Sequence, residues 1–433
     1  MSEKSKNFIL YLIIFLTALP YLLLISRPEL SSTQFPLKSL ALYVSSILGF
    51  FGIVMLVWQL VLGTRSVAGL FSQNFASKIQ VHKNLGIYGT LLIFLHPLLI
   101  TIGYGYGLFY SIMPDISSSY EKAVTYGRFA FYFLIIIWVT SALLKSRIKF
   151  RPWKYIHYLS YPILVLSLLH IPSIGPSFNT PGIQFYWYVT VFVVIVCSVL
   201  RARHLFTFGK LSYTLVSKQQ MSPGVYSLLF KPLHQNKFIN IKPGQFVYIQ
   251  YSFMGEEHPF SVLDFNNDTG DLVIVYKEFG SFTKKMTNNV NIGDIVLIDG
   301  PYGKFLNKMT HNNIFIAGGI GFTPFYKTAI SGDGSNNIFI RAAKSNADLC
   351  YDEKLKNLLG NKYIRLLSKD NKTIDKNSIR GYFKGSFIKN NISSYKEFSY
   401  FICGPDSMID SVQQELQKIG VPNKNITTEK FGF

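Results

Sequence analysis

Six apolar segments, near residues 8–25, 39–61, 85–102, 129–144, 156–171 and 185–200, confine the first half of this 433-residue chain to a membrane. Each reaches, alone or with its flanks, the ~20 residues a helix needs to cross a bilayer. Lipid offers no hydrogen bonds to a bare backbone, so such segments are expected to be helical. Residues 210–433 have ordinary soluble composition, and the chain therefore divides into a membrane half and a water half. Lys4 and Lys6 precede the first apolar run as in a signal peptide, but no small-residue cleavage site follows "PYLLLISRPEL". We read that segment as a retained span.

Charge sets the topology. The link 145–154 carries Lys145, Arg147, Lys149, Arg151 and Lys154, and the link 62–84 carries Arg65, Lys78 and Lys83, whereas 172–184 has no basic residue. The positive-inside rule then places both termini in the cytoplasm. The formal charge of +20 fits this pattern together with contact to anionic lipid. Its basic residues are scattered along membrane edges rather than clustered, which argues against nucleic-acid binding. Cys197, Cys350 and Cys403 show no paired spacing, so neither a disulfide framework nor a zinc site is expected.

Four histidines lie inside the spans. His82 and His96 are fourteen residues apart on the third, and His157 and His170 thirteen apart on the fifth. At 1.5 Å per residue each pair is separated by roughly 20 Å. His82 and His96 fall on nearly one face, with His157 and His170 offset somewhat more. The two spans run in the same direction, so the first histidines lie level with one another, as do the second. This suits two haems stacked across the membrane, His82 with His157 holding the inner and His96 with His170 the outer. Packing residues or a proton pathway are the competing readings of such histidines.

Beyond "RARHLFTFGK" the pattern becomes β-like: "GVYSLLFKP", "GQFVYIQYSF" and "DLVIVYKEF" are short runs divided by turn residues, as in a small barrel. From 314 strand and helix alternate, predicting a parallel α/β sheet. The expected domains are a six-span unit over 1–205, a barrel over 206–306 and an α/β domain over 307–433. "AGGIGFTPF", 317–325, follows a strand and opens a helix, where glycine backbone and helix N-terminus favour a pyrophosphate. "CGP", Cys403-Gly404-Pro405, ends a later strand on the same sheet edge, where a nicotinamide could lie; a buried, inert Cys403 is the alternative. In the barrel, Phe260 and Ser261 of "HPFSV" could cover and hydrogen-bond a flavin ring. Gly280, Ser281 and Thr283 of "GSFT" could bind its phosphates; both stretches also read as ordinary turn chemistry.

In order and spacing these motifs resemble the NADPH oxidase and ferric reductase superfamily, most of all its short prokaryotic oxidases. The resemblance covers nearly the whole chain. It implies a six-helix transmembrane bundle, then a β-barrel flavin domain and a parallel α/β nucleotide-binding domain like that of ferredoxin-NADP reductase. The four histidines would ligate two b-type haems. His258, Pro259, Phe260 and Ser261 would line FAD, with Gly280 and Thr283 near its diphosphate. Gly318, Gly319, Gly321, Thr323 and Pro324 would hold the dinucleotide, with Cys403, Gly404 and Pro405 at the nicotinamide. Phe433 would stack on the flavin until nicotinamide displaces it. Where the family often has an arginine for the NADPH 2′-phosphate, this chain offers Lys344, with Arg341 nearby. Lysine is a point charge rather than a bidentate fork, which leaves NADPH and NADH both open as donors. No calcium-binding loop precedes the first span, which predicts activity without calcium control.

The expected activity is transfer of electrons from cytoplasmic NAD(P)H through FAD and both haems to oxygen on the outer face, giving superoxide. Arg128, near the outer end of the fourth span, is the candidate to polarise oxygen; a haem-propionate partner or an interfacial anchor is the alternative. A ferric-chelate reductase, or a donor to an extracytoplasmic protein partner, would share the electron path. A transporter using the histidines for protons would leave the flavin and nucleotide motifs without a role.

Overall fold

The computed structural model describes residues 3–25, 36–65, 67, 75–174, 176–252, 255–331, 336–369 and 377–430. The chain forms two compact units, Met1–His204 and Leu205–Phe433.

All six apolar segments of the first unit lie in helices long and apolar enough to cross a membrane. The first, second, third and sixth are Glu3–Leu24, Pro36–Gly63, Phe75–Tyr104 and Pro181–Leu205. Many large apolar side chains of the six spans face outward, Phe192 and Val165 among them, as lipid contact requires. The fourth helix, Ser119–Trp138, continues as one π-helical stretch, Val139–Leu143. The fifth span is broken into Phe150–His157 and Ser160–Ile174. Pro162 explains the break, because its ring lacks an N–H and clashes with the carbonyl four residues back, at Tyr158. The chain tightens there into three-residue turns, with Leu159 N donating to the Ile156 carbonyl and Tyr161 N to the Tyr158 carbonyl.

The second unit joins a closed antiparallel barrel to a parallel sheet. The barrel strands β1 (Leu211–Ser222), β2 (Val225–Pro232), β3 (Phe246–Gln250), β4 (His258–Phe265), β5 (Leu272–Lys277) and β6 (Ile295–Tyr302) pair in the order β1-β2-β5-β4-β3-β6. Alternation along β5 shows why it closes: Leu272, Ile274 and Tyr276 fill the interior, while Val275 is buried in the neighbouring cluster outside it. The sheet strands are β7 (Asn312–Gly318), β8 (Asn336–Ala343), β9 (Tyr363–Leu367), β10 (Ser378–Arg380), β11 (Ser399–Gly404) and β12 (Ile426–Lys430). Their order is β10-β9-β8-β7-β11-β12, all parallel. The order reverses between β7 and β11, the kind of switch point where ligands bind at the carboxyl ends of open sheets. Lys327 on the helix Thr323–Ile330 donates to Asp264 Oδ1 at 2.6 Å and to the Phe265 carbonyl, tying the sheet to the barrel.

Candidate functional site

In the membrane unit the third helix carries His82 and His96, and the two pieces of the fifth carry His157 and His170. Ring centroids lie 6.2 Å apart for His82 and His157 and 6.5 Å apart for His96 and His170. Two metal–imidazole bonds of about 2 Å each, plus the distance from ring nitrogen to ring centre on both sides, account for roughly 6 Å. The separation of each pair thus matches the span of one iron held between two imidazoles.

Hydrogen bonds settle which nitrogens are free. His96 Nδ1 lies 2.8 Å from the Ser45 carbonyl and His170 Nδ1 2.9 Å from the Ala123 carbonyl. A carbonyl can only accept, so both Nδ1 atoms carry the proton and both Nε2 lone pairs are left for a ligand. Glycines make room for these rings. A Cβ on Gly127 would lie 2.5 Å from His170 Cε1, and one on Gly49 would lie 3.1 Å from His96 Cε1. Both histidines and both glycines line a mostly apolar cavity of about 530 Å³.

Arg128 lines the same cavity and is 4% exposed. Its guanidinium lies 3.5 Å from Glu121, 3.1 Å from Thr125 Oγ1 and 4.7 Å from the Tyr110 ring centre. Its Nε is buried with no hydrogen-bond partner among the described residues. An orphaned donor of this kind suits a carboxylate such as a haem propionate. The donor set, the ring separations and the glycine clearances together fit haem.

In the second unit the motifs gather at the switch point. Gly318 ends β7, and Gly319 follows in the left-handed region with φ +57° and open space where a Cβ would be. Gly321 is instead hemmed in: a Cβ there would lie 2.7 Å from the Cys403 carbonyl carbon. Close approach of two backbones is thus why Gly321 is glycine, while Gly319 leaves the turn open to a ligand. Thr323 and Pro324 are buried at the start of the following helix. Cys403 is fully buried in the core cluster shared with Phe315 and Phe401, and Gly404 and Pro405 follow it at the sheet edge. Burial raises the Cys403 thiol well above its ordinary value, so it stays protonated near neutral pH.

Glu429 pairs with Cys403 across β11 and β12, and burial pushes its carboxyl from 4.5 up to about 7. The folded chain then holds that proton more tightly than the unfolded chain does. Its contribution is present below pH 4.5 and is lost as pH rises through about 7. Thermal release of FAD fluorescence from the full protein is expected to move to lower temperature between pH 5 and pH 8. Glu429→Gln should flatten that dependence; an equally steep slope in the variant would refute the assignment.

Several expected contacts take a different form. Phe260 points into the barrel core beside Tyr276 and Phe282, and His258 stacks on Phe282 at 3.9 Å. Ser261 lies on the other face of β4, opposite Phe246 of β3, with Tyr248 and Tyr302 close by. These three aromatics are candidates that sequence reasoning passed over, though the alternating "QFVYIQY" held the signal. Thr283 Oγ1 accepts from the Phe279 and Gly280 backbone N–H groups, capping its own helix, Ser281–Asn289. Arg341 is 1% exposed; it donates to the Cys350 carbonyl at 2.6 Å and lies 4.0 Å over the Phe322 ring. Lys344, just past β8, is exposed. Phe433 lies outside the described residues.

Residues 48–168 match the family "Ferric reductase like transmembrane component", 212–306 the "Oxidoreductase FAD-binding domain" and 315–414 the "Oxidoreductase NAD-binding domain". A Clostridium beijerinckii protein described as "Uncharacterized protein in adh 3'region" is 28% identical over 225 residues, 48% of this chain and 72% of that one. Among solved structures, the FAD/NAD-binding domain of nitric oxide dioxygenase from Vibrio cholerae O1 biovar El Tor is 20% identical. It covers 52% of this chain and 99% of that one, with a TM-score of 0.46. A flavohemoglobin from Malassezia yamatoensis is 17% identical over 93% of this chain and 100% of that one, with a TM-score of 0.48.

Proposed function

This chain has the architecture of the NADPH oxidase and ferric reductase superfamily, an integral membrane protein and NAD(P)H-dependent flavoprotein oxidoreductase, and from that premise we propose that it is a transmembrane NAD(P)H oxidase producing superoxide. When bound, FAD would take the nicotinamide hydride as an electron pair and give up single electrons, which two b-type haems would accept singly on the way to oxygen.

This chain's residues supply the rest. His82 and His157 would hold the inner haem and His96 and His170 the outer, the latter two through Nε2. Oxygen would be reduced beside the outer cavity, where the guanidinium charge of Arg128, offset in part by Glu121, would draw it while Nε–H holds a propionate. The open turn at Gly319 receives the dinucleotide phosphates, and Gly404 and Pro405 border the nicotinamide. Exposed Lys344 serves the 2′-phosphate of NADPH, because Arg341 is occupied inside the fold. Ser261 with Pro259 lines the flavin, and the helix opening at Gly280 and Ser281 offers its backbone N–H groups to the flavin diphosphate. Basic residues on the links 62–84 and 145–154 put both termini in the cytoplasm.

The observation that carries the reading is the pair of imidazole separations, 6.2 and 6.5 Å, on the same two spans. Its test is a visible spectrum of the purified protein with FAD and NADPH under anaerobic conditions, followed by air. Low-spin haem bands that reduce, then reoxidise with superoxide dismutase-sensitive reduction of cytochrome c, are expected. Haem that reoxidises only with a ferric chelate or a protein extract would replace the oxidase with a reductase or relay. Absence of haem would end the proposal.

A further inference from the structure

The surroundings of His157 differ from those of the outer ligands in a way that no requirement of haem ligation explains. His96 and His170 each have a backbone carbonyl at Nδ1, whereas His157 Nδ1 faces Ser141 Oγ at 3.5 Å. Ser141 is placed there by the π-helical stretch Val139–Leu143, a rare conformation frequently found at functional sites. Its oxygen also accepts a hydrogen bond from Trp153 Nε1 at 3.1 Å. Trp153 lies four residues before His157, on the same helix face. The two rings stack at 4.9 Å with their planes 27° apart. Lys145 Nζ sits over that indole, 3.4 Å from the ring centre. Nothing acidic lies in the link: residues 144–156 hold five lysines and arginines and no aspartate or glutamate.

We infer that Lys145, Trp153 and Ser141 form a charge-bearing stack that positions His157 and sets the reduction equilibrium of the inner haem. The inference rests on the reading of His82 and His157 as its ligands. Positive charge near a redox centre favours the state holding one more electron, and a stack at the membrane edge is screened less than a pair in bulk water. Trp153 orients the ring from one side, and Ser141 offers Nδ1 an acceptor weakened by the bond it already takes from the indole. A ligand with a weaker Nδ1 acceptor is less basic and stabilises the oxidised metal less. Charge and hydrogen bond thus act in the same direction, making the inner haem easier to reduce.

The test is a spectroelectrochemical titration of the full chain, with haem content measured alongside. Lys145→Gln is expected to keep two haems per chain and to shift one of the two reduction transitions about tenfold toward the oxidised form. For a one-electron couple that is about 59 mV. Lys145→Arg should restore the wild-type value to within about threefold, and Trp153→Leu should move the same transition as Lys145→Gln. Two unmoved transitions in Lys145→Gln with full haem content would overturn the stack while leaving the oxidase reading intact. Loss of one haem in that variant would make Lys145 a haem-retention residue and also overturn it. Wild-type protein without haem would instead overturn the reading on which the stack rests.

Discussion

His170→Ala is expected to lower haem content from two per chain to one and NAD(P)H-driven oxygen consumption by at least ~100-fold. Loss of a neighbour that merely orients a metal ligand costs about 10–100-fold in affinity or activity, so loss of the ligand itself sets a floor near the top of that range. The substitution also leaves the Ala123 carbonyl without the Nδ1 donor that now lies 2.9 Å away. Flavin-level activity should survive, because the second unit has its own hydrophobic cores and no part in this histidine pair. The check is a pyridine haemochrome assay beside two rates, oxygen uptake and reduction of a soluble dye that takes electrons from flavin. Retention of both haems would exclude His170 as a ligand. Loss of dye reduction together with oxygen uptake would point to misfolding rather than to a missing centre.

Gly321→Ala should show the opposite pattern, with haem retained and dye reduction cut more than tenfold. A Cβ at this position would lie 2.7 Å from the Cys403 carbonyl carbon and 3.1 Å from Gly404 Cα. Both obstacles are backbone at the end of β11, so no rotamer change relieves the clash. Overpacking of this kind costs about 1–3 kcal/mol, and here the strain pushes the turn Gly319–Phe322 away from the end of β11 at the switch point. Gly319→Ala is the informative companion. It has open space around it, so its cost is the left-handed φ of +57° rather than a collision. Dye reduction measured over a range of NADPH concentrations distinguishes them. A Gly321→Ala protein with wild-type rates would show that this turn and the end of β11 need not touch.

Much of this protein is legible in its sequence alone. Six spans follow from hydropathy, because a run of apolar residues determines its own solvent whatever surrounds it. The barrel and the parallel sheet follow from strand lengths and turn residues, and the four histidines stand out because imidazoles in lipid-spanning segments are costly without partners. What a single segment could not reveal was direction. Thirteen residues of regular helix leave His157 and His170 about 140° out of register. The break before Pro162 lies between them, and both rings meet partners on the third span. Phe260 and Ser261 are adjacent in "HPFSV", but a strand sends neighbours to opposite faces, and the closed barrel decided which face was interior. Arg341 turned inward because the Cys350 carbonyl and the Phe322 ring wait inside the fold; Lys344, three residues on, lies past the strand and stays in water. Spacing and hydropathy belong to one stretch of chain. The face a side chain presents belongs to whatever packs against it from elsewhere in the sequence, and only the tertiary structure brings those partners together.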